Sequence, residues 1–421
     1  MIGTILIWLT ILFTMTLFGV AKIQFFSLSP SIWQIFAQIS GLMGLLLLSW
    51  SFVLSIRNLI LEKMFGGLDK VYKIHHIVGG ASFLFLINHP LFLIINSLPS
   101  NLLKLYLIPG TMLDYNSGIL ALYLMLLLLL LTLFVDLPYY LWKQTHEWMG
   151  MVIFLGGMHG LLISSDMSRF MPLRIWMLGF SLVAILSFLY KRYLYYFLLP
   201  NNNYRLIETR QDGDVIIISM SSTDPKKSLI FAPGQFAFLS VVGSKRDRDE
   251  HPFSVLLQDG DVVQFGIKAF GQFTSSLLRL PTNASLTLRG PFGRFGEAMG
   301  HTEELVFIAG GIGITPFISM AKSLQSNQKA TLFHISKGTC SPYISEMLNL
   351  IVSHFPNFQF IEYDSRLGRI TGNNIIEHTK YGDKAKYLIC GPVPMMESLS
   401  DQLVSLGIAK NKIVYEDFNF K

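Results

Sequence analysis

Four histidines set in apolar sequence, His75 and His89 in one run and His146 and His159 in another, are the residues whose type and spacing point most directly to chemistry. An imidazole in a bilayer core is costly unless something binds it, and two pairs at separate depths suggest stacked metal centres. His75 and His89 are 14 residues apart. That is ~3.9 helical turns, so both leave nearly one face with ~21 Å of rise between them. His146 and His159 are 13 apart, a rise of ~19.5 Å but a rotation ~140° short of whole turns. Gly156-Gly157, just before His159, offers a place for a bend or π-like irregularity, and long imidazole arms or helix rotation can share the correction. The similar rises pair His75 with His146 and His89 with His159, as in two bis-imidazole haems stacked across a membrane. His76 competes with His75, but the same-face argument favours His75 and leaves His76 as an interfacial residue.

A second set of motifs lies beyond residue 200. His251-Pro252-Phe253-Ser254 precedes an apolar strand, where a hydroxyl and backbone donors can meet a flavin ring and the proline holds the chain extended. Pro233-Gly234-Gln235-Phe236 lies upstream, Lys268-Ala269-Phe270-Gly271-Gln272-Phe273-Thr274 downstream, and Gly290-Pro291-Phe292-Gly293-Arg294-Phe295 closes the barrel that these runs suggest. Gly271 to Thr274 can open a helix whose amides and hydroxyl accept a pyrophosphate. Gly310-Gly311-Ile312-Gly313-Ile314-Thr315-Pro316 follows one strand and precedes a helix; its glycines admit a phosphate, Thr315 can cap and Pro316 suits the first turn. Cys390-Gly391-Pro392 ends a later strand, at the carboxyl edge where open parallel sheets put ligands. Ser336, Lys337, Arg366 and Arg369 can meet a nucleotide 2′-phosphate, or form a solvated charged loop.

The elements that must position these residues divide the chain in two. In 421 residues only 14% are charged, and the mean hydropathy of +0.47 is too apolar for an ordinary soluble protein. A bilayer span needs ~20 mainly apolar residues, and six segments qualify: 2–20, 33–56, 74–98, 116–135, 146–164 and 174–197. The first has no basic leader and no small-residue cleavage pattern, and reads as a spanning helix. Arg57, Lys63, Lys70, Lys73, Lys143, Lys191 and Arg192 fall on one side, against Lys22, Lys104, Arg169 and Arg174 on the other. This excess puts the first side, with the C-terminal half, in the cytoplasm. The net charge of +6 is explained by this topology, and nucleic acid is not an expected partner. Cys340 and Cys390 are too few for a disulfide framework. Short β-rich runs up to about residue 300 predict an antiparallel barrel, and strands alternating with helices thereafter predict a parallel α/β sheet. The expected domains are thus 1–203, a six-helix transmembrane bundle; 204–300, a β-barrel for FAD; and 301–421, an α/β nucleotide-binding domain.

With these motifs in place, the whole chain resembles the bacterial NADPH oxidases, the NOX-type members of the ferric reductase-like transmembrane superfamily, and looks closest to the streptococcal type. The run 233–239 and the terminal Tyr415-Glu416-Asp417-Phe418-Asn419-Phe420-Lys421 contribute to the likeness. The resemblance implies two b-type haems on His spacings of 14 and 13, with His75 and His146 nearer the flavin and His89 and His159 outermost. It implies FAD at the His251–Ser254 motif with Lys268, Gly271 and Thr274, and a nicotinamide nucleotide at Gly310, Gly311, Gly313, Thr315, Pro316, Cys390, Gly391 and Pro392. Phe418 matches the terminal aromatic that stacks on the flavin, with Phe420 as competitor. The implied function is electron transfer from NADPH, or NADH, to dioxygen on the far face, forming superoxide; a ferric-chelate reductase is the alternative acceptor reading. A membrane anchor without haem, carrying a flavin reductase, is the reading from another class. No protein nucleophile, acid or base is required, no obligatory protein partner is expected, and activity without a regulatory segment is expected.

Overall fold

A computed structural model describes residues 2–25, 31–98, 102–198, 202–243, 250–338, 340–379 and 381–417. It separates into two compact units, Met1–Leu199 and Pro200–Lys421.

The first unit is helical: α1 (Ile2–Gln24), α2 (Ile32–Leu54), α3 (Leu59–Phe65), α4 (Leu68–Ser97), α5 (Leu103–Leu107), α6 (Leu113–Phe134), α7 (Tyr139–Glu147), α8 (Met149–Leu162), α9 (Asp166–Arg169) and α10 (Met171–Leu189). A π-helical turn, Tyr190–Leu194, extends α10 and leads into α11 (Tyr195–Leu198). Among the described residues five helices are long and apolar enough to cross a membrane: α1, α2, α4, α6 and α10 with its extension. α2 is the interior helix. Its hydrophobic window is 72% buried, against 11 to 28% for the other four, whose apolar outer faces suit a lipid solvent. Small residues bring α4 against it: Ser82 Oγ donates to the Gly44 carbonyl at 2.8 Å, and a Cβ on Gly44 would meet the Leu86 side chain at 2.6 Å. Close backbone approach of this kind is the membrane substitute for a hydrophobic drive between helices.

The fifth expected span is corrected. Residues 146–164 do not form one helix: the chain turns at Trp148, between α7 and the 14-residue α8. There the Trp148 amide bonds the Thr145 carbonyl and the Met151 amide the Trp148 carbonyl, both in the tight i to i+3 pattern. A 3₁₀ step turns the chain ~120° against ~100° in an α-helix. The overwinding therefore supplies rotation in the direction that His146 and His159 lack. Gly156 and Gly157 lie inside continuous α-helix, so the expected irregularity is not theirs. Arg192, on the π-helical turn, pairs with Glu147 at 2.6 Å and ties down the end of α7.

In the second unit, β1 (Asn202–Asp212), β2 (Val215–Ser222), β3 (Phe236–Val241), β4 (His251–Asp259), β5 (Val262–Lys268) and β6 (Ser285–Phe292) close an antiparallel barrel in the order β1-β2-β5-β4-β3-β6. Gly290, Pro291 and Phe292, expected to form a closing turn, are the last residues of β6, and the turn follows at Gly293, where φ is 97°. The short α12 (Gln272–Leu277) follows β5. The strands β7 (Glu304–Gly310), β8 (Lys329–Ser336), β9 (Phe358–Asp364), β10 (Lys386–Cys390) and β11 (Ile413–Glu416) form a parallel sheet in the order β11-β10-β7-β8-β9. Its crossovers carry α13 (Thr315–Ala321), α14 (Pro342–His354), α15 (Gly372–Thr379) and α16 (Val393–Ser405). One core joins barrel and sheet: Val215, Ile217 and Leu256 pack with Phe295, Phe307, Phe317 and Leu332. The barrel's own interior is filled by Ile216, Ile218, Val263 and Phe265, as the alternation of its strands requires.

Candidate functional site

The four histidines are brought together in the expected pairs. The rings of His75 and His146 lie 6.3 Å apart between centroids, and those of His89 and His159 also 6.3 Å apart. Two axial imidazole bonds of ~2 Å plus the ring radii sum to roughly 6 Å, so each pair has the spacing to grip one metal ion from opposite sides. His76 is exposed, with its ring 5.7 Å from that of His75, and stands outside the pair.

Three of the four rings are oriented by backbone carbonyls. His75 Nδ1 lies 2.9 Å from the Ser51 carbonyl, His89 Nδ1 2.7 Å from that of Ala37, and His159 Nδ1 2.7 Å from that of Asp114. A proton on Nδ1 directed at a carbonyl leaves Nε2 as the bare lone pair, the tautomer a metal requires. Ala37 and Ser51 are themselves 14 residues apart on α2, so the interior helix repeats the spacing of His75 and His89 on α4 and sets the two levels. Glycines make room for two of the rings. A Cβ on Gly41 would stand 3.0 Å from His89 Nδ1, and one on Gly118 2.8 Å from His159 Nδ1. The sequence offered no direct signal for these partners, because their meaning depends on which helix faces which.

His146 is held differently. Its Nδ1 is buried without a hydrogen-bond partner among the described residues, and its ring stacks on Trp142 at 5.4 Å with 7° between planes. Tyr139 stacks on the same indole at 5.7 Å.

In the barrel, His251, Pro252, Phe253 and Ser254 open β4 and pair with Leu239, Phe238, Ala237 and Phe236 of β3. The His251 ring stacks on Phe273 at 3.9 Å, and Phe253 faces the same ring at 6.2 Å and 12°. Phe273 lies on α12, so this aromatic group joins the His251 motif to the Gly271 turn. Gly271 caps α12 with φ 94°, and the Thr274 hydroxyl accepts from the Phe270 amide at 2.8 Å. Lys268, at the end of β5, forms an exposed ion pair with Asp214 at 3.2 Å. A feature missed in the sequence lies beside the motif: Glu250 and Arg289, 4% and 9% exposed, pair at 3.0 Å. Phe418 and Phe420 lie outside the described residues.

At the sheet edge, residues 77 and 81 apart in sequence come together. A Cβ on Gly313 would fall 2.4 Å from the Cys390 carbonyl oxygen, and one on Gly391 2.9 Å from the Gly310 Cα. The Gly310–Gly313 turn and the Cys390–Pro392 turn therefore form one surface at the carboxyl ends of adjacent strands β7 and β10, the place where such sheets bind nucleotides. Thr315 does not cap. It is 4% exposed and its hydroxyl donates to the Ile312 carbonyl at 3.0 Å, while Pro316 occupies the first turn of α13 as expected. Burial, then the carboxylates of Glu416 and Asp417, push the Cys390 thiol well above its ordinary range, which suits a packing role and not a nucleophile. Arg366 forks onto Asp364 at 2.9 and 3.0 Å, and that pairing holds the half-buried Asp364 carboxyl down at about 2. Gly338 packs against the same guanidinium, which gathers the loops after β8 and β9.

The described residues form a helical unit with apolar outer faces, a six-strand antiparallel barrel and a five-strand parallel sheet. Residues 40–157 match the family described as the ferric reductase like transmembrane component, and residues 307–401 match the oxidoreductase NAD-binding domain. The two matched segments lie one in each unit. It is 32% identical over 242 residues to a flavohemoprotein of Rhizobium meliloti, covering 50% of this chain and 59% of that protein. It is 27% identical over 226 residues to the reductase component of propane 2-monooxygenase from Mycolicibacterium goodii, covering 49% and 64%. The chain therefore spans under two thirds of the length of these relatives. Flavohemoglobin from Malassezia yamatoensis, solved with bound FAD and heme, has a TM-score of 0.54 at 18% identity over 92% of this chain and 99% of that one; at this identity the likeness concerns fold alone.

Proposed function

We propose that this chain carries electrons across a membrane from cytoplasmic NADPH, through FAD and two b-type haems, to dioxygen on the opposite face, forming superoxide. The observation that carries the reading is the equal 6.3 Å spacing of two histidine pairs at two levels. FAD, when bound, supplies the conversion of a two-electron donor to one-electron transfer, and haem supplies the one-electron steps. His75 with His146 would hold one haem and His89 with His159 the other. His251 to Ser254, Gly271 and Thr274 would hold FAD, with Lys268 beside them. Gly310, Gly311, Gly313, Thr315, Pro316, Cys390, Gly391 and Pro392 would hold the nucleotide, and Phe418 would stack on the flavin. The basic residues at the helix ends on the His75 side support the cytoplasmic assignment of the C-terminal half. With both imidazoles of each pair engaged, His75 with His146 and His89 with His159 would leave no ligand position open to the acceptor, and haem would supply one-electron transfer alone.

Purified full-length protein supplied with haem and FAD tests this. Anaerobic NADPH is expected to reduce the haems, and air to reoxidise them rapidly with release of superoxide, detected as dismutase-sensitive cytochrome c reduction. Haems that stay reduced in air while ferric chelates are turned over would instead assign a metal reductase, the acceptor that the superfamily description favours.

The Trp142 stack leads to a narrower expectation. An aromatic pair contributes ~0.5–1.5 kcal/mol beyond its buried area, and His146 has this contact where its three counterparts have a carbonyl. Trp142→Leu is expected to loosen one haem by up to about tenfold and to shift one of two midpoint potentials. Trp142→Phe is expected to restore both. Equal shifts of the two potentials in a redox titration would contradict a role confined to His146.

A further inference from the structure

Away from the carriers, three side chains of different chemistry converge under the parallel sheet. His334 on β8 and Glu362 on β9 are register partners on neighbouring strands, and Cys340 sits just before α14. One ligand atom from each, an imidazole nitrogen, a thiol sulfur and a carboxylate oxygen, lies within 4.8 Å of the other two. His334 and Cys340 are 4% and 6% exposed, and Glu362 stands at the exposed rim.

The orientation of His334 marks this as more than a chance cluster. Its Nε2 lies 3.1 Å from the Gly311 carbonyl, a partner that can only accept, so Nε2 carries the proton and Nδ1 presents a lone pair. That Nδ1 is buried with no hydrogen-bond partner among the described residues. A buried polar atom without a partner costs ~1–3 kcal/mol, and a cation would satisfy it. The carbonyl behind Nε2 repeats the arrangement that fixes metal-binding imidazoles in general.

We propose that His334, Cys340 and Glu362 form a binding site for a borderline-soft divalent cation of the zinc type, with its fourth position open towards the rim. Mixed nitrogen, sulfur and oxygen ligation selects such an ion over magnesium or calcium, which take oxygen alone. Bonds of ~2.0–2.3 Å require the three side chains to close in by about 1 Å, and Glu362 at the rim has the freedom to do so. Binding forms one metal–sulfur, one metal–nitrogen and one metal–oxygen bond, and releases the Cys340 thiol proton to solvent. The site is distinct from the four histidines, and it adjoins the glycine turn through the Gly311 carbonyl.

The test uses the full chain in detergent, stripped of loosely held metal and incubated with equimolar zinc sulfate. Metal analysis after gel filtration is expected to find one more zinc per chain in the parent protein than in Cys340→Ala or His334→Gln. X-ray absorption at the zinc edge, where haem iron does not interfere, is expected to show one sulfur neighbour at ~2.3 Å. Glu362→Gln, at an exposed position, is expected to keep the sulfur signal while binding zinc at least about tenfold more weakly. Equal zinc in the parent and both ligand variants, bound zinc without a sulfur neighbour, or full affinity in Glu362→Gln would overturn the site.

Discussion

His89→Ala is expected to halve the haem content while leaving flavin content unchanged. The ring lies 6.3 Å from that of His159 and is fixed by the Ala37 carbonyl, so its removal leaves one imidazole at that level. Loss of a supporting contact alone typically costs ~10–100-fold in metal affinity, and loss of a ligand costs more. NADPH-driven reduction of dioxygen is therefore expected to fall by at least that factor, whereas NADPH-driven reduction of ferricyanide, which can draw on the flavin, is expected to persist. That combination separates a broken membrane path from a misfolded chain. A haem-to-flavin ratio equal to that of the parent would sink the ligand assignment. Gly118→Leu makes the same point from outside the ligand set. Its first added carbon alone would sit 2.8 Å from His159 Nδ1, so the same haem is expected to be lost or displaced.

Gly313→Ala is expected to damage the other end of the path. The new methyl would meet the Cys390 carbonyl oxygen at 2.4 Å and its carbon at 2.7 Å. These are backbone atoms at the end of a central strand, and they cannot move aside as a side chain tip can. Overpacking of this kind costs ~1–3 kcal/mol, which here acts directly on the junction of the two proposed nucleotide turns. The KM for NADPH is expected to rise about tenfold or more, with haem and flavin content kept. Gly311→Asn provides the comparison. Gly311 has φ 54°, and a Cβ added to it would have no neighbour within 4 Å; asparagine tolerates that left-handed backbone. A smaller effect is expected there. If Gly311→Asn raised KM as much as Gly313→Ala, backbone contact with Cys390 would not be the controlling feature.

Much of the architecture was legible because its signals are local. Hydrophobic runs long enough for a bilayer, alternation in the barrel strands and glycines after β7 each report on a few turns of chain. The histidine pairing was legible for the same reason: two similar rises along two helices put the rings at common heights. The break at Trp148 was not. Gly150 lies within the second of its tight turns, but a single glycine in an apolar run does not announce a break, and the turn is held among α7, α8 and the Arg192 ion pair, a contact made across 45 residues of sequence. Threonine is a common capping residue, yet the Thr315 hydroxyl turns back to Ile312 inside a buried 3₁₀ turn, and nothing local in the sequence distinguishes the two uses.

Sequence by itself determined the order of the parts, the heights of four imidazoles and the glycines at the sheet edge, since periodicity and backbone freedom belong to the chain before it folds. Only the tertiary structure decided that α2 supplies carbonyls to both levels, that Trp142 stands in for one of them, that Gly313 abuts Cys390, and that His334, Cys340 and Glu362 converge. Those relations depend on the rotation and separation of elements distant in sequence, and packing sets both.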